Sequence, residues 1–228
     1  MTPAMTCEIG LEARARQSLG SSSDAIYRMV ARALEAHSIS GDTLVDVGCG
    51  SGHLWRSIGR RFSHYCGLDA VRYDAFPAEG EFHLVDLDGA QWPTTDASAD
   101  VVTAVETIEH LDNPWKFVRR LAAIARPGGW VIVTTPNQLS ALSLVTLVVK
   151  KRFSAFPDAH FPAHRTALLE SDLQRAAREA GLNVIEMGYS LHGRLPLASW
   201  HYPEAIARMF PQALSDNVML VARKPGRA

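Results

Sequence analysis

Val45-Asp46-Val47-Gly48-Cys49-Gly50-Ser51-Gly52 decides the fold of this 228-residue chain. A short apolar strand ends in an acid, three glycines follow at alternate positions, and a helical pattern runs from His53 to Arg61. Glycine tolerates backbone conformations closed to other residues, so such a loop brings a ligand against backbone N–H groups. The positive end of the following helix faces the same place. Strand, glycine loop and helix in this order indicate a nucleotide-like ligand.

Outward from that loop, strand-like runs recur at 44–47, 65–68, 82–85, 101–105 and 130–134, with helical patterns at 54–62 and 115–126 between them. Strand and helix in alternation predict an α/β fold, a Rossmann-like doubly wound sheet with helices on both faces. Ser23-Asp24 precedes a helix to about His37, with Ile26, Met29, Val30, Ala33 and Leu34 on one face. Arg126-Pro127-Gly128-Gly129 reads as a helix stop and tight turn. A helix over 171–180 is stopped by Gly181, and 183–189 and 218–222 read as two last strands, an antiparallel hairpin on the sheet edge. The whole chain reads as one domain over 1–228. It divides into a loose arm and helix (1–40, the arm being 1–22), a cofactor-binding half (41–137), a cap insertion (138–164) and a C-terminal helix with edge strands (165–228).

Apolar residues make up 47 % and charged residues 21 %, an ordinary water-facing composition. The net charge of −1 excludes a global field that attracts nucleic acid. Cys7, Cys49 and Cys66 are odd in number and lack C-x-x-C spacing, which argues against a disulfide framework and fits a reducing compartment. No basic-then-apolar leader pattern opens the sequence, so a cytoplasmic location is expected.

The glycines follow G-x-G-x-G rather than the dinucleotide spacing, which suits a ligand without a pyrophosphate. Asp46 ahead of them would repel phosphate but suits the ammonium and sulfonium region of a cationic ligand. Asp69 ends the second strand, where a carboxylate bonds ribose hydroxyls. Asp86 ends the third, within reach of an adenine amino group, and Leu87 is placed to pack on the adenine face.

With these residues on the page, the chain resembles the class I S-adenosylmethionine-dependent methyltransferases. The matching pieces are the Val45–Gly52 loop, Gly67-Leu68-Asp69, Val85-Asp86-Leu87, Val105-Glu106-Thr107-Ile108-Glu109-His110-Leu111 and Arg126-Pro127-Gly128-Gly129, in family order from about 43 to 137. The resemblance implies a seven-stranded, mostly parallel sheet with one antiparallel strand. It also implies S-adenosyl-L-methionine across the carboxyl ends of the first strands, held by Asp46, Gly48, Gly50, Gly52, Asp69, Asp86 and Leu87.

Glu106, Glu109 and His110 stand at i, i+3 and i+4, so a helical turn there would put all three on one face. Two carboxylates and an imidazole make a divalent-metal site for Mg²⁺, Mn²⁺ or Zn²⁺, with His160 or His164 as a further ligand. The E-x-x-E-H string resembles that of the ubiquinone-pathway O-methyltransferases and of the small-RNA 3′-terminal 2′-O-methyltransferases. In both, the resemblance implies a metal that lowers the pKa of a substrate hydroxyl. The other reading is metal-free: the three residues cap the turn or line the cofactor pocket, and His110 acts as a general base for N- or O-methylation.

The cap should select a small-molecule acceptor: a phenol, a quinol or a glycosyl hydroxyl. An RNA acceptor needs a basic groove that the few clustered cations do not supply. Residues 139–152 are strongly apolar and end in Lys150-Lys151-Arg152. They read as a membrane-surface helix, or as a buried cap helix or homodimer contact. His192, Trp200, His201 and Tyr202 form either an aromatic wall for the acceptor or a small satellite core.

Overall fold

The central strands are buried on both faces, which is why they read as near-continuous apolar runs rather than as alternating ones. Along β1 (Thr43–Val47), Leu44 faces one layer, while Val45 and Val47 face the other. The first layer packs on α2 (Asp24–Ala36) and α3 (His53–Ile58) through Met29, Val30, Leu34 and Leu54. The second packs on α4 (Pro114–Ile124) and α6 (Glu170–Glu179) through Phe117, Leu121, Leu173 and Ala177. This computed structural model describes residues 11–17, 20–196 and 198–226. Cys7 and the first ten residues of the expected arm lie outside them.

The remaining strands are β2 (His64–Asp69), β3 (Glu81–Leu84), β4 (Ala99–Ala104), β5 (Ala125–Pro136), β6 (Asn183–Tyr189) and β7 (Asn217–Arg223). They form one seven-stranded sheet in the order β3-β2-β1-β4-β5-β7-β6. All neighbours pair in parallel except β7, which is antiparallel to both β5 and β6. The last two strands therefore make the expected antiparallel pair, with β7 inserted beside β5 and β6 at the edge. The strand order runs outward in opposite directions from β1 and β4. The crevice at their carboxyl ends is the switch point where open α/β sheets take their ligands.

Local sequence explains the punctuation. Asn113 accepts the Lys116 N–H at 2.9 Å and Pro114 opens α4, a matched helix start. The Arg126–Gly129 turn lies within β5 rather than before it: Ala99 pairs with Ala125 and Val101 with Trp130, so these residues bulge out, Gly128 turning at φ 78°.

Two expectations change. The described part of the arm is built into the fold: α1 (Leu11–Arg16) leads to residues 20–22, which lie over the glycine loop. The cap contains α5 (Ala141–Lys150), started by Ser140 Oγ accepting the Ser143 N–H at 3.1 Å. It is not a buried helix. Ser143 is its one buried residue, and Leu144, Val145, Val148 and Val149 are exposed. Among the described residues, no helix is long and apolar enough to cross a membrane.

Candidate active site

A cavity of about 310 Å³ opens at the carboxyl ends of β1, β2 and β4. Of the residues expected to bind the cofactor, Asp46, Gly48, Gly50, Asp69, Asp86 and Leu87 line it, and Gly52 does not. Glu106, Glu109, His110 and His164 also line it; His160 does not.

The glycine loop works differently from the expectation. Its N–H groups point into the protein: Gly48 and Cys49 donate to Leu68 O (2.7 and 3.2 Å), Ser51 to Gly20 O (2.9 Å) and Gly52 to Cys49 O (2.9 Å). The Gly50 N–H goes to Asp69 Oδ2 at 2.8 Å. The glycines are required by shape. Gly48, Gly50 and Gly52 have φ of 74°, 52° and 73°, a region costly for other residues. A Cβ at these positions would run into Thr107, the Gly20 backbone and Pro77 respectively. A loop with its donors so engaged has no cradle for phosphate, in keeping with its glycine spacing.

Acids instead surround the cavity. Asp46 is 2 % exposed and accepts from Thr103 Oγ1 (2.8 Å) and Tyr65 Oη (3.1 Å). Burial pushes its carboxyl up to about 6. Asp69 also accepts the Val71 N–H (3.1 Å), and burial raises it too. Asp86 Oδ1 takes the Asp88 N–H at 3.0 Å, which turns the chain behind β3 and presents Leu87. Buried carboxyls held above their ordinary range gain most from a cationic ligand, so the lining fits the sulfonium and ammonium groups of S-adenosylmethionine.

Glu106, Glu109 and His110 do not share a helical face. Glu106 takes a left-handed backbone (φ 49°), and a single 3₁₀ turn covers Ile108–His110. The Glu106 carboxylate turns to the sheet and accepts from Thr134 Oγ1 and Asn217 Nδ2, both at 2.8 Å. Glu109 is 1 % exposed; its Oε2 accepts from Thr135 Oγ1 at 3.1 Å, and its Oε1 has no hydrogen-bond partner among the described residues. The cap is zipped onto this turn: Arg165 and Thr166 donate to Glu109 O (2.9 and 3.0 Å), and His110 Nδ1 bonds Ala163 O at 2.8 Å. That zipper brings His164 beside His110, with ring centroids 4.9 Å apart. One ligand atom from each of Glu109, His110 and His164 lies within 4.8 Å of the others. Glu106 and His160 stand outside this group, the exposed His160 ring packing edge-on against His164 with centroids 5.3 Å apart.

A family profile described as "Methyltransferase domain" matches residues 20–187. The chain belongs to this methyltransferase family. Curated relatives are ubiquinone biosynthesis O-methyltransferases: that of Hydrogenovibrio crunogenus is 29 % identical and that of Bordetella pertussis 31 %, each over 155 residues. These matches cover 64 % of this chain, which spans 64 % of the length of those relatives. Among solved structures, a putative methyltransferase of Haloferax volcanii, complexed with the Trm112 methyltransferase activator, superposes with a TM-score of 0.64 at 21 % identity. The match covers 94 % of this chain and 97 % of that one, a likeness of fold.

The methyltransferase site contains parts that the sequence reading missed. The Gly20 carbonyl accepts both the Ser51 N–H and its Oγ–H, each at 2.9 Å, and so straps residues 20–23 over the glycine loop. The Tyr27 hydroxyl accepts the Ser22 N–H at 2.8 Å and lines the cavity. These bonds use the Gly20 carbonyl and the Ser22 backbone N–H, which no side-chain pattern announces. The aromatic wall is not part of the cavity: His192 and His201 stack on each other at 3.8 Å, and Trp200 is 77 % exposed.

Proposed function

We propose that this methyltransferase O-methylates a small-molecule hydroxyl (a phenol, quinol or glycosyl group), with Glu109, His110 and His164 as the ligands of a divalent ion. The observation that carries this reading is the convergence of those three side chains on the cofactor cavity, with a Glu109 Oε1 that has no hydrogen-bond partner among the described residues. A carbonyl can only accept, so Nδ1 of His110 bonded to Ala163 O, and Nδ1 of His164 bonded to Ala155 O at 2.6 Å, carry the protons. A neutral ring anchored in this way has its lone pair on Nε2. Anchoring the other ring nitrogen in this way is the usual arrangement behind a metal-ligating histidine.

The electrostatics agree. Burial pushes His164 down to about 4, so it needs no deprotonation at neutral pH. Burial pushes Glu109 up to about 8, so alone it holds a proton, and a cation would take that proton's place. Two imidazoles and one carboxylate favour Mn²⁺ or Zn²⁺ over Mg²⁺. Such an ion supplies Lewis acidity that lowers the pKa of an acceptor hydroxyl. S-adenosylmethionine supplies a methyl group on a good leaving group, so the protein's share is alignment, exclusion of water and a deprotonated acceptor. The names of the curated relatives support oxygen as the atom methylated and a quinol as the first acceptor to test.

The exposed α5 face supports contact with a membrane surface. Leu144, Val145, Val148 and Val149 are exposed beside Lys150 and Lys151, and no acid occurs between Asp112 and Asp158. The deciding experiment measures methyl transfer to catechols and quinols after EDTA treatment, then after return of Mn²⁺, Zn²⁺ or Mg²⁺. Activity should vanish and return with the ion. Full activity in excess EDTA would leave His110 as a metal-free general base.

A further inference from the structure

A second cluster of metal-ligating side chains lies on the opposite edge of the sheet from β6. We propose that Cys66, Glu81 and His83 form a zinc site that staples the edge strand β3 to β2. Cys66 and Glu81 are register partners across the parallel β2–β3 pair, so their side chains emerge side by side on one face. His83 is two residues beyond Glu81 and returns to the same face. The ligand atoms of the three lie within 4.8 Å of one another, and His83 Nε2 is 3.0 Å from Glu81 Oε1.

The donor set selects the ion. One sulfur, one nitrogen and one oxygen suit Zn²⁺, whereas Mg²⁺ demands oxygen. Tetrahedral zinc places its ligand atoms about 3.5 Å apart, given bonds of ~2.0–2.3 Å. Glu81 is 68 % exposed and has room to turn its carboxylate from His83 toward an ion shared with Cys66. Solvent supplies the fourth position. Burial and the neighbouring Glu81 carboxylate push the Cys66 thiol up to about 11. A bound dication reverses both effects by neutralising Glu81 and holding the thiolate. Binding therefore releases the thiol proton to solvent, and the proton that His83 Nε2 directs at Glu81 moves through solvent to Nδ1, which leaves the Nε2 lone pair for the ion.

The location gives the staple a consequence. Among the described residues β3 pairs only with β2, through four residues. Cys66 and His83 each stand three residues before an acid of the cofactor cavity, Asp69 and Asp86 respectively. Zinc here ties together the two strands that deliver those acids.

The test is carried out on the full chain and is independent of methyl transfer. Alkylation of Cys66 by iodoacetamide is followed by mass spectrometry of its own peptide, with and without Zn²⁺ in about tenfold excess. Zinc should slow alkylation at Cys66 by at least about tenfold, a factor that Mg²⁺ does not reproduce. Co²⁺ should give a thiolate-to-cobalt charge-transfer band that Cys66→Ser abolishes and His83→Ala weakens. Glu109, His110 and His164 contain no sulfur, so an ion bound there cannot produce that band. An unchanged alkylation rate with excess zinc, or a cobalt band that survives Cys66→Ser, would overturn the proposal.

Discussion

Asn217 donates its Nδ2–H to Glu106 Oε2 at 2.8 Å, tying the first residue of β7 to the switch point after β4. Thr134 closes the other side: its hydroxyl donates to Glu106 Oε1, and it accepts the Glu106 N–H at 3.0 Å. Both oxygens of this buried carboxylate are thus used by the sheet, and burial with the nearby Glu109 holds its carboxyl well above the ordinary range. Glu109, three residues on, faces the histidines instead. Two acids that look equivalent in the sequence therefore have different work: Glu106 fixes the floor of the cavity, and Glu109 faces what binds in it.

Substitutions should separate them. Glu106→Gln puts an amide donor against one of two donors, so stability should fall by ~1–3 kcal/mol. Its affinity for Mn²⁺ or Zn²⁺ should change by less than about threefold. Glu109→Gln removes the one carboxylate of the proposed set and should weaken that affinity by about a hundredfold or more. Metal titration calorimetry with S-adenosylhomocysteine present reads both. Equal losses in the two variants would place Glu106 among the ligands.

Gly50→Val should abolish S-adenosylhomocysteine binding by an indirect route. The new side chain meets the Gly20 backbone, at a φ of 52° that valine does not adopt readily. Strain of that kind costs ~1–3 kcal/mol, so the variant should melt earlier while remaining folded. The strap formed by residues 20–23 should lift from the glycine loop. Circular dichroism with calorimetry tests this; unchanged affinity in a folded variant would mean that the strap does not shape the pocket.

The parallel sheet was legible because its signals are local. Apolar runs and the glycine loop announce strand and turn, and observed strand ends fall within two residues of expected ones, except that β5 starts five residues early at Ala125 and takes the Pro-Gly-Gly turn inside it as a bulge. That Asp46, Asp69 and Asp86 line the cavity was legible for the same reason, each lying within two residues of a strand end. The Glu109–His110–His164 group was only half legible. Reading Glu106, Glu109 and His110 with helical periodicity assumed a continuous helix, whereas a positive φ at Glu106 breaks it, and nothing in a Glu-Thr dipeptide announces that turn. His164 reaches the site through hydrogen bonds between residues 109–111 and 163–166, a tertiary pairing with no pattern in either segment. Tyr65 and Thr103, which hold Asp46, come from neighbouring strands and become visible only once the register is known.

Asp69→Ala should weaken cofactor binding by about ten- to a hundredfold, the loss of a charge-assisted bond worth ~1.5–3 kcal/mol. The structure adds a second cost, because Asp69 also accepts the Gly50 and Val71 N–H groups and so anchors the glycine loop. Asp69→Asn keeps one acceptor for that anchoring and should lose less. Titration with S-adenosylhomocysteine distinguishes the two; a loss below about twofold in both would place the ribose elsewhere.

Asp46 should make the ligand-free protein less stable as pH rises. Its carboxyl stands at about 6 when folded against 3.8 ordinarily, so the folded state binds more protons than the unfolded one between those values. Stability from this residue is complete below the lower value and is lost as pH rises through the higher one, by ~3 kcal/mol in all. Burial is the main cause, opposed by the Thr103 and Tyr65 hydrogen bonds and reinforced by Asp69. Asp46→Asn cannot ionise and should flatten this part of the curve. A cationic ligand favours the ionised form, so saturating S-adenosylmethionine should restore stability at pH 7 in the parent protein more than in Asp46→Asn. Denaturant titrations from pH 4 to 8, with and without the cofactor, measure both effects. An identical pH dependence in parent and variant would show that Asp46 is not the group that titrates.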